Sequence, residues 1–220
     1  MKQAALFGGM QLGAVVLAGG LARRMGGTDK GLVDLAGRPM ISYAISVVEQ
    51  VTGRIVVNAN RNAALYAALG HEVVPDALDG NLGPLAGLSA AMEVLETDLV
   101  FMCPCDSPFM SAELIQRLAI SFNQSDIDIA VAFGADRMQP VFAVVRSSLK
   151  DSLDLFLAQG ERKIDKWYAQ HRVQEVACDD LADAFLNINT EEQRLSAQAR
   201  LNSRLKNYLP ATIPLIACYQ

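Results

Sequence analysis

The sequence predicts a three-layer α/β domain built on a mainly parallel sheet. Three observations predict it. Short Val-, Ile- and Leu-rich runs alternate with longer segments whose apolar residues recur at helical spacing. The short runs are apolar throughout, as in strands covered on both faces. Glycine, proline and capping residues punctuate the chain between them.

The elements follow in order. Residues 13–19 (GAVVLAG) form a buried strand ended by glycine. Pro39 to Val51 carries Met40, Tyr43, Ala44, Val47, Val48 and Val51 on one helical face, with Pro39 near the first turn. Residues 54–60 (RIVVNAN) are a second strand. Arg61 to Leu69 is a short Ala-rich helix closed by Gly70. Residues 72–76 (EVVPD) are a third strand, Pro84 to Leu95 a helix opened by its proline, and residues 99–104 (LVFMCP) a fourth strand. Ser111 caps a helix running to Ser121. Right-handed crossovers then bring the strand C-terminal ends to one edge, where ligands bind in such sheets.

The second half is less regular. Residues 127–133 and 139–145 are strands joined by a short loop with Gly134, Asp136 and Arg137, hence an antiparallel addition. Ser147 to Leu157 is helical. A charged loop, GERKID, leads toward Trp167. Residues 185–190 (FLNINT) are expected to form a final strand, and Glu191 to Tyr208 an amphipathic helix. The main domain is expected over residues 1–192, with 193–220 a helical extension and tail.

Composition bounds the function. The 220 residues are 51% hydrophobic and 20% charged, enough to bury a core in one domain. No run of about 18 uninterrupted apolar residues occurs, so a membrane span is not expected. The apolar start is broken by Gln3, Gly8, Gly9, Gln11 and Gly13, which argues against a secretory leader. A formal net charge of −5 argues against a nucleic-acid binder. Cys103, Cys105, Cys178 and Cys218 form no paired C-x-x-C pattern, and Cys103 and Cys105 read as buried thiols. A cytoplasmic protein is expected.

Leu17 to Lys30 stands out. In an acidic protein this segment gathers Gly19, Gly20, Gly26 and Gly27 with Arg23, Arg24 and Lys30, directly after the first strand. Glycines let backbone N–H groups close on an anion. Arginine adds forked bonds to phosphate oxygens, and lysine a point charge. It is not a Walker A loop, since G-x-x-x-x-G-K-[ST] is absent, and the G-x-G-x-x-G dinucleotide fingerprint does not follow this strand. By composition alone, a solvated basic loop stays open beside a phosphate cradle.

Other candidates lie near the same edge. Asp106 ends the fourth strand and either holds Mg²⁺ or caps the turn before Pro108. Asp76 closes the third strand, either as a loop aspartate or as a nucleotide contact, and a buried Asn58 in the second needs a hydrogen-bond partner, for which a nucleotide is one source. Gly83 and Gly87 flank Pro84 at a helix start, either a nucleotide contact or a tight turn. Asn187 and Asn189 alternate onto one face of the expected last strand. Arg162 and Lys163 sit in a charged loop, either as cations for a second substrate or as solvated surface. His71 and His171 have no partner motif and no G-x-S-x-G string exists, so a triad is excluded. Trp167 and Tyr168 are left open between core and pocket edge.

The string LAGGLARRMGGTDK resembles the nucleotide-loop signature of the molybdenum cofactor guanylyltransferase (MobA) family within the nucleotidyltransferase superfamily. VVNANR (56–61), VVPD (73–76), GPLAG (83–87), CPCDSP (103–108), QGERK (159–163) and FLNINT (185–190) resemble segments of that family in the same order, spanning residues 13 to about 192. The resemblance implies a Rossmann-like nucleotidyltransferase domain that transfers GMP from GTP to molybdenum-molybdopterin, with Mg²⁺ as cofactor. It implies that Leu17, Ala18, Gly19, Gly20, Lys30, Asn58, Asp76, Gly83 and Asp106 bind GTP. Asp106 would hold the metal, and Arg24, Lys30 and Asp106 would be catalytic. Arg162, Lys163, Asn187 and Asn189 would serve molybdopterin. A second metal is put in doubt by asparagine at 187 and 189. Lys163 replaces a second arginine usual in the family, which loses the bidentate fork. A monomer is expected, with transient contacts to proteins that deliver and collect the cofactor. The alternatives are a CTP-using cytidylyltransferase relative, a sugar-1-phosphate nucleotidyltransferase, and a non-catalytic GTP-binding adapter.

Overall fold

A computed structural model describes residues 7–18, 29–76 and 83–208, the last five without their side chains. Seven strands form one sheet in the order β5-β4-β1-β6-β8-β7-β9. The strands are β1 (Leu12–Leu17), β4 (Ile55–Asn58), β5 (Glu72–Val74), β6 (Leu99–Pro104), β7 (Ile129–Gly134), β8 (Arg137–Arg146) and β9 (Val173–Ala177). A separate two-stranded ribbon pairs β2 (Asp34–Leu35) with β3 (Arg38–Pro39). β1, β4, β5 and β6 are mutually parallel, and only β8 runs antiparallel to its neighbours.

Two apolar layers sandwich the sheet, and the alternation of side chains along each strand assigns them. Ala14, Val16, Phe101 and Cys103 face α1 (Ile41–Val48), α2 (Ala63–Ala67) and α4 (Ala112–Ile120). Val15, Val100 and Met102 face α3 (Pro84–Val94), α5 (Lys150–Ala158) and α6 (Ile164–Tyr168). Trp167 and Tyr168 belong to this second layer, so both are core residues. The expected three-layer α/β fold with a mainly parallel sheet is the one observed. Cys103, Cys105 and Cys178 are free and buried, and burial pushes their thiols up. No described helix is long and apolar enough to cross a membrane.

β7 and β8 form a hairpin across Ala135 and Asp136, with φ of 54° and 60°. Two successive left-handed residues make a turn whose twist matches the flanking strands. A bulge follows, where Val131 pairs with Ala143 but Ala132 with Gln139. β6 pairs with β8 only as far as Met102, so Cys103 and Pro104 are held by β1 alone. The bulge thus coincides with an opening in the sheet beside the end of β6.

The expected strand over 185–190 does not form. Residues 179–185 are a 3-10 turn, and the segment after it is extended but makes a single backbone bond to the sheet side, from Ile188 N–H to the Asp106 carbonyl at 3.0 Å. The last strand is instead β9, which the sequence reading left without an element. α7 (Glu191–Tyr208) begins at a capping box: Thr190 Oγ1 accepts from Gln193 N–H at 3.2 Å, and Gln193 Oε1 accepts from Thr190 N–H at 3.1 Å. Ala197 and Leu201 on α7 pack with Leu35, Met40, Phe109 and Ile188.

Candidate functional site

The chain leaves β1 for β4 and β5 on one side, then returns to β6 on the other. The strand order therefore reverses between β1 and β6, where α/β sheets open a ligand crevice. The two strands end level, with Leu17 opposite Pro104. One further step is hydrogen-bonded on each side: Cys105 N–H to the Leu17 carbonyl at 3.0 Å, and Ala18 N–H to the Asn58 carbonyl at 2.8 Å. Asp106 follows immediately. Its position is set by a continuous sheet rather than by a loose loop.

Asp106 is 7% exposed. Its Oδ2 forms an ion pair with Lys30 Nζ. Among the described residues, its buried Oδ1 finds no hydrogen-bond donor. Lys30 also donates to Asn189 Oδ1 at 2.6 Å, so three chain segments separated by most of the sequence meet on one ammonium group. Ser107 donates to Asn187 Oδ1 at 2.8 Å, and the Asp106 carbonyl accepts from Ile188 N–H. Asn187 and Asn189 thus flank Asp106 from one loop, without the strand expected there. Gln193 of α7 fixes that loop by accepting from Asn189 N–H at 2.7 Å.

A second polar cluster sits at the ends of β4 and β5. Asn58 Nδ2 donates to the Val74 carbonyl at 3.2 Å and to Asp76 Oδ1 at 2.9 Å. Asn60 Nδ2 donates to Asp76 Oδ2 at 2.8 Å, and Asp76 N–H returns a bond to Asn60 Oδ1 at 2.7 Å. Asn60 was not anticipated; the only signal was its place two residues after Asn58 on the same strand edge. Gly83 caps α3 with φ 80° and ψ −173°, a conformation that favours glycine, and so turns the helix N-terminus toward this edge. Gly87 lets α3 close on the strands, since a Cβ there would lie 2.3 Å from Asn58 Oδ1 and 2.6 Å from Leu17 Cδ2.

The remaining candidates separate. Arg162 and Lys163 lie in the loop after α5, which ascends from the far edge. The Arg162 guanidinium donates to the carbonyls of Leu157 at 2.7 Å and Glu161 at 2.5 Å, while Lys163 is exposed at the start of α6. His71 contacts Glu49 at 3.2 Å, and His171 packs edge-on against Trp167 near Ser152, where burial holds its pKa down. Neither joins the site. Gly19, Gly20, Arg23, Arg24, Gly26 and Gly27 lie outside the described residues. The ends of their loop are described, and its return is anchored at Asp29. That carboxylate accepts from Tyr66 at 2.5 Å and Asn62 at 3.2 Å. The sequence places Asp29 beside Lys30 but gives no sign of these partners.

Among the described residues, no group of three or more His, Cys, Asp or Glu side chains is arranged as a metal cage. The buried Asp106 oxygen left without a partner is a different kind of donor. It suits a cation that takes most of its ligands from phosphate and water.

Residues 14–176 match the family model described as MobA-like NTP transferase domain. A relative from Shewanella sp. (strain MR-4), named molybdenum cofactor guanylyltransferase, is 45% identical over 193 residues, 88% of this chain and 98% of its own. One of the same name from Shewanella amazonensis is 47% identical over 84% of this chain and 94% of its own. In fold, the chain resembles the crystal structure of molybdopterin-guanine dinucleotide biosynthesis protein A from Archaeoglobus fulgidus. The TM-score is 0.74 at 24% identity, over 86% of this chain and 98% of that one. With its nucleotide-loop string, its β1–β6 crevice and these relatives, the chain belongs to the MobA-like NTP transferase family.

Proposed function

We propose that the chain is a nucleotidyltransferase that moves GMP from GTP to molybdenum-molybdopterin, giving the guanine dinucleotide cofactor and pyrophosphate. The name shared by relatives 45–47% identical over most of the chain supports the substrates. The observation that carries the chemistry is the unpartnered Asp106 oxygen beside Lys30 in the β1–β6 crevice. A buried carboxylate oxygen without a hydrogen bond is costly, and a site that binds a cation there recovers that cost.

Nucleotidyl transfer asks for alignment and charge neutralisation more than for covalent help. A terminal phosphate oxygen of the pterin attacks the α-phosphorus of GTP. The bond from that phosphorus to the bridging oxygen of the β-phosphate breaks, and its electron pair leaves on pyrophosphate. The attacking oxygen is already ionised at neutral pH, so no general base is required, and the absence of histidine from the described site fits this. Leu17 and Ala18, held in the sheet at the crevice, carry the chain into Gly19 and Gly20, whose backbone N–H groups are assigned to the triphosphate. Arg24 and Lys30 add positive charge where it develops on the leaving group. The α3 N-terminus at Gly83 adds the positive end of a helix dipole. Asn58 and Asp76, held together at the end of β4, meet the nucleoside. Asp106 is the residue that would hold Mg²⁺, which supplies charge neutralisation at the phosphates when bound.

Asn187, Asn189, Arg162 and Lys163 are assigned to molybdopterin. Lys163 is free to reach a phosphate, whereas Arg162 must first release two carbonyls of its own loop. GTP and molybdenum-molybdopterin are the partners of this reading, and the cytoplasm its place. The test is pyrophosphate release with Mg²⁺ and molybdopterin, comparing GTP with CTP. GTP is expected to be used well above CTP. A preference for CTP makes the chain a cytidylyltransferase. Tight GTP binding without release makes it an adapter.

A further inference from the structure

We infer that Tyr66 of α2 and Asn62 at its N-cap, acting through the Asp29 carboxylate, are positioning residues for Lys30. Asp29 is 5% exposed and directly precedes Lys30. A buried carboxylate must find partners, and both of these come from α2 and its N-cap. The Tyr66 hydroxyl donates to Oδ1 at 2.5 Å, and Asn62 Nδ2 donates to Oδ2 at 3.2 Å. Tyr66 is fully buried, and its phenol is pushed up, first by burial and then by the bond to Asp29, so it stays a donor.

The residue after Lys30 meets the same side chain. A Cβ at Gly31 would lie 2.6 Å from the Tyr66 hydroxyl and 3.2 Å from its ring. The D-K-G triplet therefore rests on one tyrosine at both neighbours of the lysine: a carboxylate on one side, and on the other a residue with no side chain to keep the ring away. Lys30 opens a 3-10 turn over residues 30–32, so its backbone direction is fixed where the loop rejoins the described fold. Its ammonium then spans to Asp106 and Asn189. A long, flexible side chain reaches one place reproducibly only if its base is held, and α2 holds it. Asn62 takes left-handed φ of 53° at the helix start, which aims its amide back toward Asp29.

The kinetic part of this inference rests on the transferase reading; the chemical part does not. Tyr66→Phe keeps the packed ring and removes only the donor. It is expected to lower kcat for pyrophosphate release on the order of 10- to 100-fold, with KM for GTP changed far less, because the lysine is misplaced rather than lost. In a Lys30→Ala background the same change is expected to cost nothing further. Asp29→Asn serves as the second variant should Tyr66→Phe fold poorly. In parallel, labelling with acetic anhydride reads the Lys30 amine directly, against exposed Lys163 as internal standard. Either variant is expected to raise the Lys30 to Lys163 labelling ratio several-fold. An unchanged ratio, or an equal loss of kcat with and without Lys30, overturns the inference. If the parent protein itself releases no pyrophosphate, the transferase reading fails, while the labelling ratio still decides the role of α2.

Discussion

Two carboxylates at opposite edges of the central sheet, Asp128 and Asp106, are treated in opposite ways. At the edge where β1 and β6 begin, Arg172 bonds both oxygens of Asp128, at 3.0 and 2.7 Å, and pairs with Asp126. Those bonds hold the Asp128 carboxyl down at about 2. Asp98 accepts from Gln11 N–H at 2.7 Å, and Thr52 donates to the Leu12 carbonyl at 2.6 Å. At the edge where β1 and β6 end, Asp106 keeps one oxygen buried and unpartnered. The far edge has one such atom as well, the Ser147 hydroxyl, but a neutral hydroxyl costs far less to leave unpaired than a carboxylate oxygen. The bonds at Asp128 are complete within the fold, whereas the Asp106 oxygen has room for a partner the chain does not supply among its described residues.

The sharpest break of this contrast is Asp106→Ala. Turnover is expected to fall by about 10³-fold or more, as when a group facing transition-state charge is removed. The thermal midpoint should stay within a few degrees, because the loss of the Lys30 ion pair is offset by removing a buried carboxylate oxygen that has no partner. Activity retained near the parent level would remove Asp106 from the site.

Gly87→Ala is the intermediate case, reaching the same edge through packing. The added methyl must displace Asn58 or Leu17, costing about 1–3 kcal/mol of stability by overpacking. It should also raise KM for GTP, because Asn58 holds Asp76. Steady-state kinetics alongside urea unfolding separates the two effects. A stability loss without any change in KM would take the Asn58–Asp76 cluster out of the nucleotide site.

Arg172→Ala has the smallest effect and marks the structural edge. Turnover is expected to stay at the parent value. In the parent, the folded pKa of Asp128 lies below its unfolded value of about 3.9. Its ionised form therefore stabilises the fold above that pH, and this contribution is lost as pH falls through about 2. Without Arg172 the folded pKa rises toward the unfolded one, and the pH dependence of the urea midpoint between about 4 and 2 should flatten.

Much of this was legible in the sequence, for physical reasons. LVFMCP is apolar on both faces because both faces are covered, and its strand runs over the predicted residues. The helix expected over Glu191–Tyr208 is α7 over the same residues. The misses share a cause. β9 reads VQEVA, half polar because it is an edge strand paired only with β7, so it lacks the buried-strand pattern. FLNINT has a strand's composition, but the sheet offers it one backbone bond and no ladder. Lys30, Asp106 and Asp76 could be named from their segments. The bonds that hold them, from Lys30 to Asp106 and Asn189 and from Asn60 to Asp76, join separate segments, as does the Tyr66 bond to neighbouring Asp29, and no local pattern carries such a pairing.

The most direct measurement follows the phosphorus. Incubated with Mg²⁺ and molybdenum-molybdopterin, GTP labelled at the α-phosphorus should pass its label to the dinucleotide cofactor, and GTP labelled at the γ-phosphorus should pass it to pyrophosphate. Asp106→Ala should do neither at a measurable rate. Appearance of the γ-label on the pterin, or α-label transfer from CTP in preference to GTP, would contradict guanylyl transfer at the β1–β6 crevice.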